Sequence, residues 1–438
     1  MSTLPSAQSP VRSTAHACAI FGVFALAYWL SYGLRAVNAV LGVPLQTELG
    51  VSSAQLGLLS SMYFLSFACM QLPLGMLLDR FGPRRIEVTL LFVAALACVA
   101  FAQATDFSAL CVARAAIGIG VSACLMAPYK GYRQWFADKW QAPLSAWMLM
   151  VGTAGALSAT IPVEWALPFL GWRGLFYVVG ALLCLAALLQ WWVLPRPVQS
   201  GPPDTIHAQW QGFLHILRSP TFWRYAPPAI FLHGGFMAIQ GLWAGPWMQQ
   251  VEGKTGSAAA HSLFIIGLGL LFSYFCLAGL SRWMMQRHIP LSRAMTIGML
   301  LALAFFGLII TPIDIPQPYH AVWQISLWVA YAMCISVMSF GYTAINMSFP
   351  AHLTGRTSTA LNFMIFMGAF FLQWGLGGLI DGLQHLGFSV IPAYRLSFAG
   401  FLGLQILALM WFIAVPRWTT WRSMQLSQLT KQPPVSDA

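Results

Sequence analysis

Apolar residues in this 438-residue chain arrive in blocks of about 20, and that block length constrains the fold more than any motif. Twenty helical residues cover the roughly 30 Å of hydrocarbon in a bilayer. Twelve such blocks can be counted, at about 20–45, 54–78, 87–105, 108–128, 144–168, 174–194, 223–249, 259–280, 293–312, 321–346, 358–380 and 394–415. Inside lipid every backbone N–H and C=O must bond within the protein, so each block has to be a helix. The two-residue alternation of a membrane barrel is missing. One long polar connection, 195–222, carries Pro195, Pro197, Pro202 and Pro203 and reads as a linker rather than a helix interior.

Only 8% of the residues are charged, against about 25% in soluble proteins, so an ordinary water-facing surface is excluded. The formal charge of +11 invites a nucleic-acid reading, but the placement of the charges opposes it. Of 22 Lys and Arg, seventeen fall in connections on one side, three (Arg173, Lys254, Arg395) on the other, and two (Arg35, Arg114) within spans. The positive-inside rule then puts both termini in the cytoplasm of a multi-pass inner-membrane protein. Basicity here reports topology, and no nucleic-acid partner is expected. The eight cysteines lie in or beside spans without a Cys-x-x-Cys pair, as small core residues rather than a disulfide or zinc framework. The first span reads as an uncleaved anchor, and the C-terminus as a short basic tail without a lipidation signal.

Between the second and third spans stands Gly75-Met76-Leu77-Leu78-Asp79-Arg80-Phe81-Gly82-Pro83-Arg84-Arg85, a tight charged elbow. A degraded copy, Gly279-Leu280-Ser281-Arg282, follows span 8, 204 residues after Gly75. The chain therefore reads as a doubled six-helix unit. The expected division is 1–194 for the first half, 195–222 for the linker, 223–415 for the second half and 416–438 for a cytoplasmic tail. The elbow closely resembles the Gly-x-Leu-x-Asp-Arg-x-Gly-Arg-Arg loop of the major facilitator superfamily, with Pro83 inserted. Three further strings are similar to the family's: Arg114-x-x-x-Gly118-x-Gly120, Gly171-Trp172-Arg173 with Phe176, and Phe349-Pro350 with Gly355-Arg356. The resemblance implies an all-α membrane protein, its 12 transmembrane helices in two six-helix halves that rock about a midplane site. It also implies that Gly75, Asp79, Arg80, Gly82, Arg84 and Arg85 form a conformational gate. There Asp79 would face a helix N-terminus, Gly75 would admit a close helix, and the arginines would pair on the same side.

A charge at a helix centre in the membrane costs roughly 2.5–3.5 kcal/mol, which marks Arg35 and Arg114 as candidate pathway residues. Arg35 shares a helical face with Tyr28, Ser31, Tyr32 and Asn38, as a water-filled path and an anionic cargo would require. Its alternative is snorkelling to the outer surface. Arg114, about six residues into span 4, is open between cargo contact and structural pairing near the membrane surface. In span 7, His233, Phe236, Met237, Gln240, Trp243 and Trp247 fall on one side, suiting a solute with an apolar body and a polar end. Trp247 fits an interfacial belt better. Gly241, Gly245 and Pro246 suit a moving gate, while Asn346, Asn362 and Gln373 either line the path or bridge helices.

Tyr32-Gly33-Leu34-Arg35 resembles the Tyr-x-Asp-Arg of the anion:cation symporters, which carry organic anions. Leu34 and Val121 stand where that family has carboxylates, so its route of proton coupling is in doubt here. Glu164, His233 and Asp381 are the remaining proton carriers for a symporter. Nitrate porters need arginines in spans 2 and 8, which are missing, and Gly152-Thr-Ala-Gly155 poorly matches the drug antiporters. His233-x-x-x-Met237 resembles the paired motifs of facilitator-type copper importers. No phosphate-binding loop of ATPase type occurs, and neither a cofactor nor a catalytic cluster is expected. The reading is a monomeric secondary transporter of a small organic anion, proton coupling being open. Its alternatives are a copper importer and a transporter-like solute receptor.

Overall fold

A computed structural model describes residues 13–137, 140–195, 206–313, 316, 319–349 and 354–429. Pro197, Pro202 and Pro203 of the linker, Pro350 to Leu353 of the span 10–11 loop and the tail beyond Leu429 lie outside the described residues. Regular structure among the described residues is helical throughout. Eight helices are long and apolar enough to cross a membrane, joined by the shorter apolar pieces Phe107–Gly120 and Pro143–Ser158.

The twelve spans reappear with instructive joints. Spans 2 and 3 run together as Ser53–Gln103, broken only at Gly82, whose φ of 79° is open to glycine and strained for other residues. Gly171, at φ 60°, breaks Ile161–Val193 in the same way between the end of span 5 and span 6. Span 4, expected to be continuous, is split into Phe107–Gly120 and Met126–Trp135. Pro128 explains the joint, because it lacks the N–H that would bond Cys124 and its ring crowds that carbonyl. Span 7 runs from Pro220 to Gln250 with π-helical turns at Ala229–Gly234 and Ile239–Trp243. The expected linker contains a helix. Ile206–Leu217 is a helix that packs on span 11, with Phe213 and Phe363 edge to face at 5.9 Å.

Within one half span 1 packs on spans 5 and 6, and span 3 on spans 4 and 6. In the other, span 9 packs on spans 10 and 12, and span 11 on spans 7 and 12. Between the halves, span 1 meets span 7, span 2 meets span 11 and span 5 meets span 8. These contacts are tightest at the end of the bundle opposite the elbow. A Cβ on Gly245 would stand 1.8 Å from the Ala39 carbonyl oxygen, and one on Gly57 2.7 Å from that of Gln373. Asp381, at the far end of span 11, accepts the Ser53 and Ala54 N–H groups at 3.0 and 2.7 Å, capping span 2 across the seam. Midway down, Phe366 stacks on Phe67 at 4.3 Å. At the elbow end, Gly75 and Gly279 have no heavy atom within 4 Å of a would-be Cβ. Met126–Trp135 of span 4 and Phe340–Met347 of span 10 there pack on their own halves. The molecule is closed at its far end and uncrowded at its elbow end.

Candidate functional site

Arg35 stands in the last turn of Thr14–Ala36, half-buried, its guanidinium carbon 3.6 Å above the Tyr32 ring. Tyr32 in turn meets Tyr28 edge to face at 4.8 Å. Arg35 lines a cavity of about 30 Å³ with Ala36, Ala156, Met237, Gln240 and Gly241, so both halves contribute. That volume holds roughly one water, so any solute must widen it. The rest of the predicted stripe turns inward. Asn38 is buried and donates to Ser60 Oγ at 2.8 Å, and Ser31 meets the Tyr63 hydroxyl at 3.4 Å.

Arg114 is not near the surface. It is 1% exposed, donates one Nη to the Leu34 carbonyl at 2.9 Å, and lies 5.2 Å from the Tyr63 ring centroid. Its Nε and other Nη are buried without an acceptor. Among the described residues, neither Arg114 nor Arg35 has a carboxylate in ion-pairing distance. A buried guanidinium normally carries such a partner.

Span 7 divides its predicted face in two. His233, Met237 and Gln240 are half-buried, and the spacing puts them on one edge. His233 stands edge to face with Tyr342 of span 10 at 6.4 Å. The aromatics of the same face are packed away. Phe236 meets Tyr331, Trp243 donates to the Gln373 carbonyl at 2.9 Å, and Trp247 stacks on Phe398. Trp247 is buried and donates to Glu252, which corrects its expected place in an interfacial belt. Trp243 belongs to the seam rather than to the cavity.

The buried amides are helix bridges. Asn346 donates to Ser358 Oγ at 2.8 Å, Asn362 accepts the Tyr342 hydroxyl at 2.8 Å, and Gln373 donates to the Ala238 carbonyl at 3.4 Å. The elbow is likewise tied within its own half. Asp79 pairs with Lys130 of span 4 instead of a helix N-terminus, and Arg84 donates to the Trp191 carbonyl and lies over its ring. Arg80 lies 5.3 Å from the Phe81 ring centroid, and Arg80 and Arg85 are exposed. Gly75, expected against a second helix, faces open space here.

Two features escaped the sequence reading. Tyr274 of span 8 stands within electrostatic reach of Arg35 and Tyr32, adding a hydroxyl from the second half. Glu87, at the inner edge of span 3, is fully buried with Gln190 of span 6 as its donor at 3.1 Å. Glu87 Oε2 and Gln190 Oε1 are both left without partners. One proton on Glu87 is the chemistry that would relieve two such acceptors.

The profile of the Major Facilitator Superfamily matches residues 24–373. The chain belongs to the major facilitator superfamily. Among facilitator relatives, a probable L-galactonate transporter of Escherichia coli is 28% identical over 38% of this chain and 37% of its own length. A galacturonate transporter of Dickeya chrysanthemi is 25% identical over 46% of this chain and 66% of its own. A probable nitrate/nitrite antiporter of Thermus thermophilus is 27% identical over 56% and 57% respectively. The chain thus spans between 37% and 66% of the length of these relatives. A bacterial homologue of the human lysosomal transporter Spinster, solved inward-facing and unoccupied, shares the facilitator fold with a TM-score of 0.75. That match covers 92% of this chain and 98% of the other at 20% identity.

Proposed function

We propose that this facilitator is a secondary transporter that moves a small organic anion across the inner membrane by alternating access. The observation that carries the reading is Arg35, a guanidinium facing a cavity shared by both halves with no carboxylate to neutralise it. Such a group presents a planar fork to a carboxylate. Gln240 supplies an amide and Met237 an adaptable apolar wall. Arg114 keeps the neighbourhood positive from behind Leu34. The sugar-acid names of two relatives support this cargo class. The nitrate reading has less support, because the intramembrane arginines lie in spans 1 and 4 instead of 2 and 8.

The lysine and arginine split assigns the elbow end to the cytoplasm, so the described conformation would load cargo from or release it to the inside. In the alternate state the elbow closes against the other half. Asp79 then exchanges Lys130 for a partner across the gap, as a two-state device requires. Proton coupling would fall to the groups at hand, His233 on the half-buried edge of span 7 and Asp381 in the seam.

The test is a thermal-shift series on purified protein with sugar acids, neutral sugars and amines. A ligand at 100 times its dissociation constant stabilises by about 2.7 kcal/mol. Carboxylates should stabilise the parent protein and leave Arg35→Gln unmoved. Equal stabilisation of both proteins would rule out Arg35 as the anion partner.

A further inference from the structure

A cavity larger than the one at Arg35 lies away from the central path, at the far end of the second half. It measures about 290 Å³ and is walled by the far ends of spans 7, 9, 10 and 12. Its floor is indole, from Trp247 and Trp328, exposed by 1% and 2%, and Trp323 stands half-open at the rim. The charges on its wall do not balance. Glu252 Oε1 accepts both floor indoles, at 3.1 and 2.9 Å, and its Oε2 pairs with Lys254 at 2.8 Å. That carboxylate is therefore neutralised inside the protein. Arg395 lines the same cavity with neither an ion pair nor a hydrogen bond among the described residues. Its Nε is sealed from water with no acceptor. His320 adds an imidazole beside it.

A donor withdrawn from water without an acceptor is costly, and more so when charged. A guanidinium without a partner among the described residues, in one cavity with buried indoles, is what a ligand with one anionic head and an apolar body would complete. The volume sits near the lower bound of about 300 Å³ for small-molecule pockets. We propose that this cavity is an accessory binding site for an anionic amphiphile, its phosphate or carboxylate on Arg395 and its apolar part on the indoles. All four walls belong to one half, so rocking of the halves leaves the site intact. Its occupant stays bound through the cycle and is not cargo. The head group has two sources, an acidic phospholipid from the surrounding leaflet or a soluble organic acid from the far side.

Delipidated protein in detergent separates them. Native mass spectrometry with phosphatidylglycerol or phosphatidylcholine reads retained lipid, and intrinsic tryptophan fluorescence reads titration with benzoate. The expected result is one preferentially held phosphatidylglycerol, or a saturable benzoate response, weakened at least tenfold in Arg395→Gln and unchanged in Arg35→Gln. Lipid retention alone assigns the site to the bilayer, and the benzoate response alone assigns it to soluble acids. Absence of both in the parent protein overturns the proposal, as does binding that Arg395→Gln leaves intact. Should Arg395→Gln fail to fold, Trp323→Ala at the rim decides by the same readouts. Weakened binding upholds the site, and unchanged binding overturns it.

Discussion

At the far end the two halves touch backbone to backbone, whereas at the elbow end each half is tied to itself. Gly245 against Ala39 and Gly57 against Gln373 leave no room for a methyl group, and Asp381 caps span 2 from span 11. Across the molecule, Asp79 with Lys130 and Arg84 with Trp191 stitch spans 2, 3, 4 and 6 of a single half. The contrast separates two jobs that charged and small residues do in this fold. Small residues let the halves approach backbone to backbone, and the elbow's Asp79 and Arg84 are tied within one half.

The largest effect should come from filling the seam. Gly245→Val places a branched side chain where 1.8 Å separates a Cβ from the Ala39 carbonyl. Overpacking of about 1–3 kcal/mol, or more for a backbone clash, shifts the closed far end by roughly 5- to 150-fold. Spin-label distances across the far end should lengthen and uptake into proteoliposomes should collapse. Unchanged distances would show that the seam tolerates side chains. Gly82→Ala ranks next, since φ 79° is strained for alanine. A cost of about 1–3 kcal/mol should appear as a lower melting temperature, with the far-end distances unmoved.

Asp381→Asn removes the charge but not the shape of the span 2 cap. The loss is about 0.3–1 kcal/mol, up to ~2 where partly buried. Far-end distances should broaden modestly, and Asp381→Ala should broaden them further. Identity of all three proteins would strip Asp381 of its clasp role. Lys130→Gln should change the described conformation least, by about 0–1 kcal/mol for a surface pair. Slow uptake with unaltered melting and far-end distances would then locate the elbow's work in the other state.

Much of this arrangement is legible from residue order. Apolar block length yields the spans, and the cost of an intramembrane arginine picks out Arg35, which lines the cavity shared by the halves, together with Arg114, which is buried behind it. The misses have physical causes. Glu87 sits at a span edge, where a carboxylate looks solvated, and only the third dimension brings Gln190 over it. The span 7 stripe rests on azimuth, and azimuth cannot tell a cavity from a neighbouring helix. Met237 and Gln240 meet the first, and His233, Phe236 and Trp243 the second. Of 38 glycines in the chain, Gly245 is marked by its place beside Gly241 and Pro246, whereas nothing in the order of residues marks Gly57 as its counterpart in the seam.

Span 7 carries one more consequence. Each of its π turns, Ala229–Gly234 and Ile239–Trp243, holds a surplus residue compared with an α turn. His233 lies in the first and Gln240 in the second. Handing such a surplus to the next turn swings the intervening side chains by about 100° without lifting either end of the helix from its neighbours. A ripple crosses a carpet in the same way while both edges stay nailed down. The side chains of span 7 proposed to face cargo can therefore be reoriented by a wrinkle travelling through the backbone while both helix ends keep their neighbours.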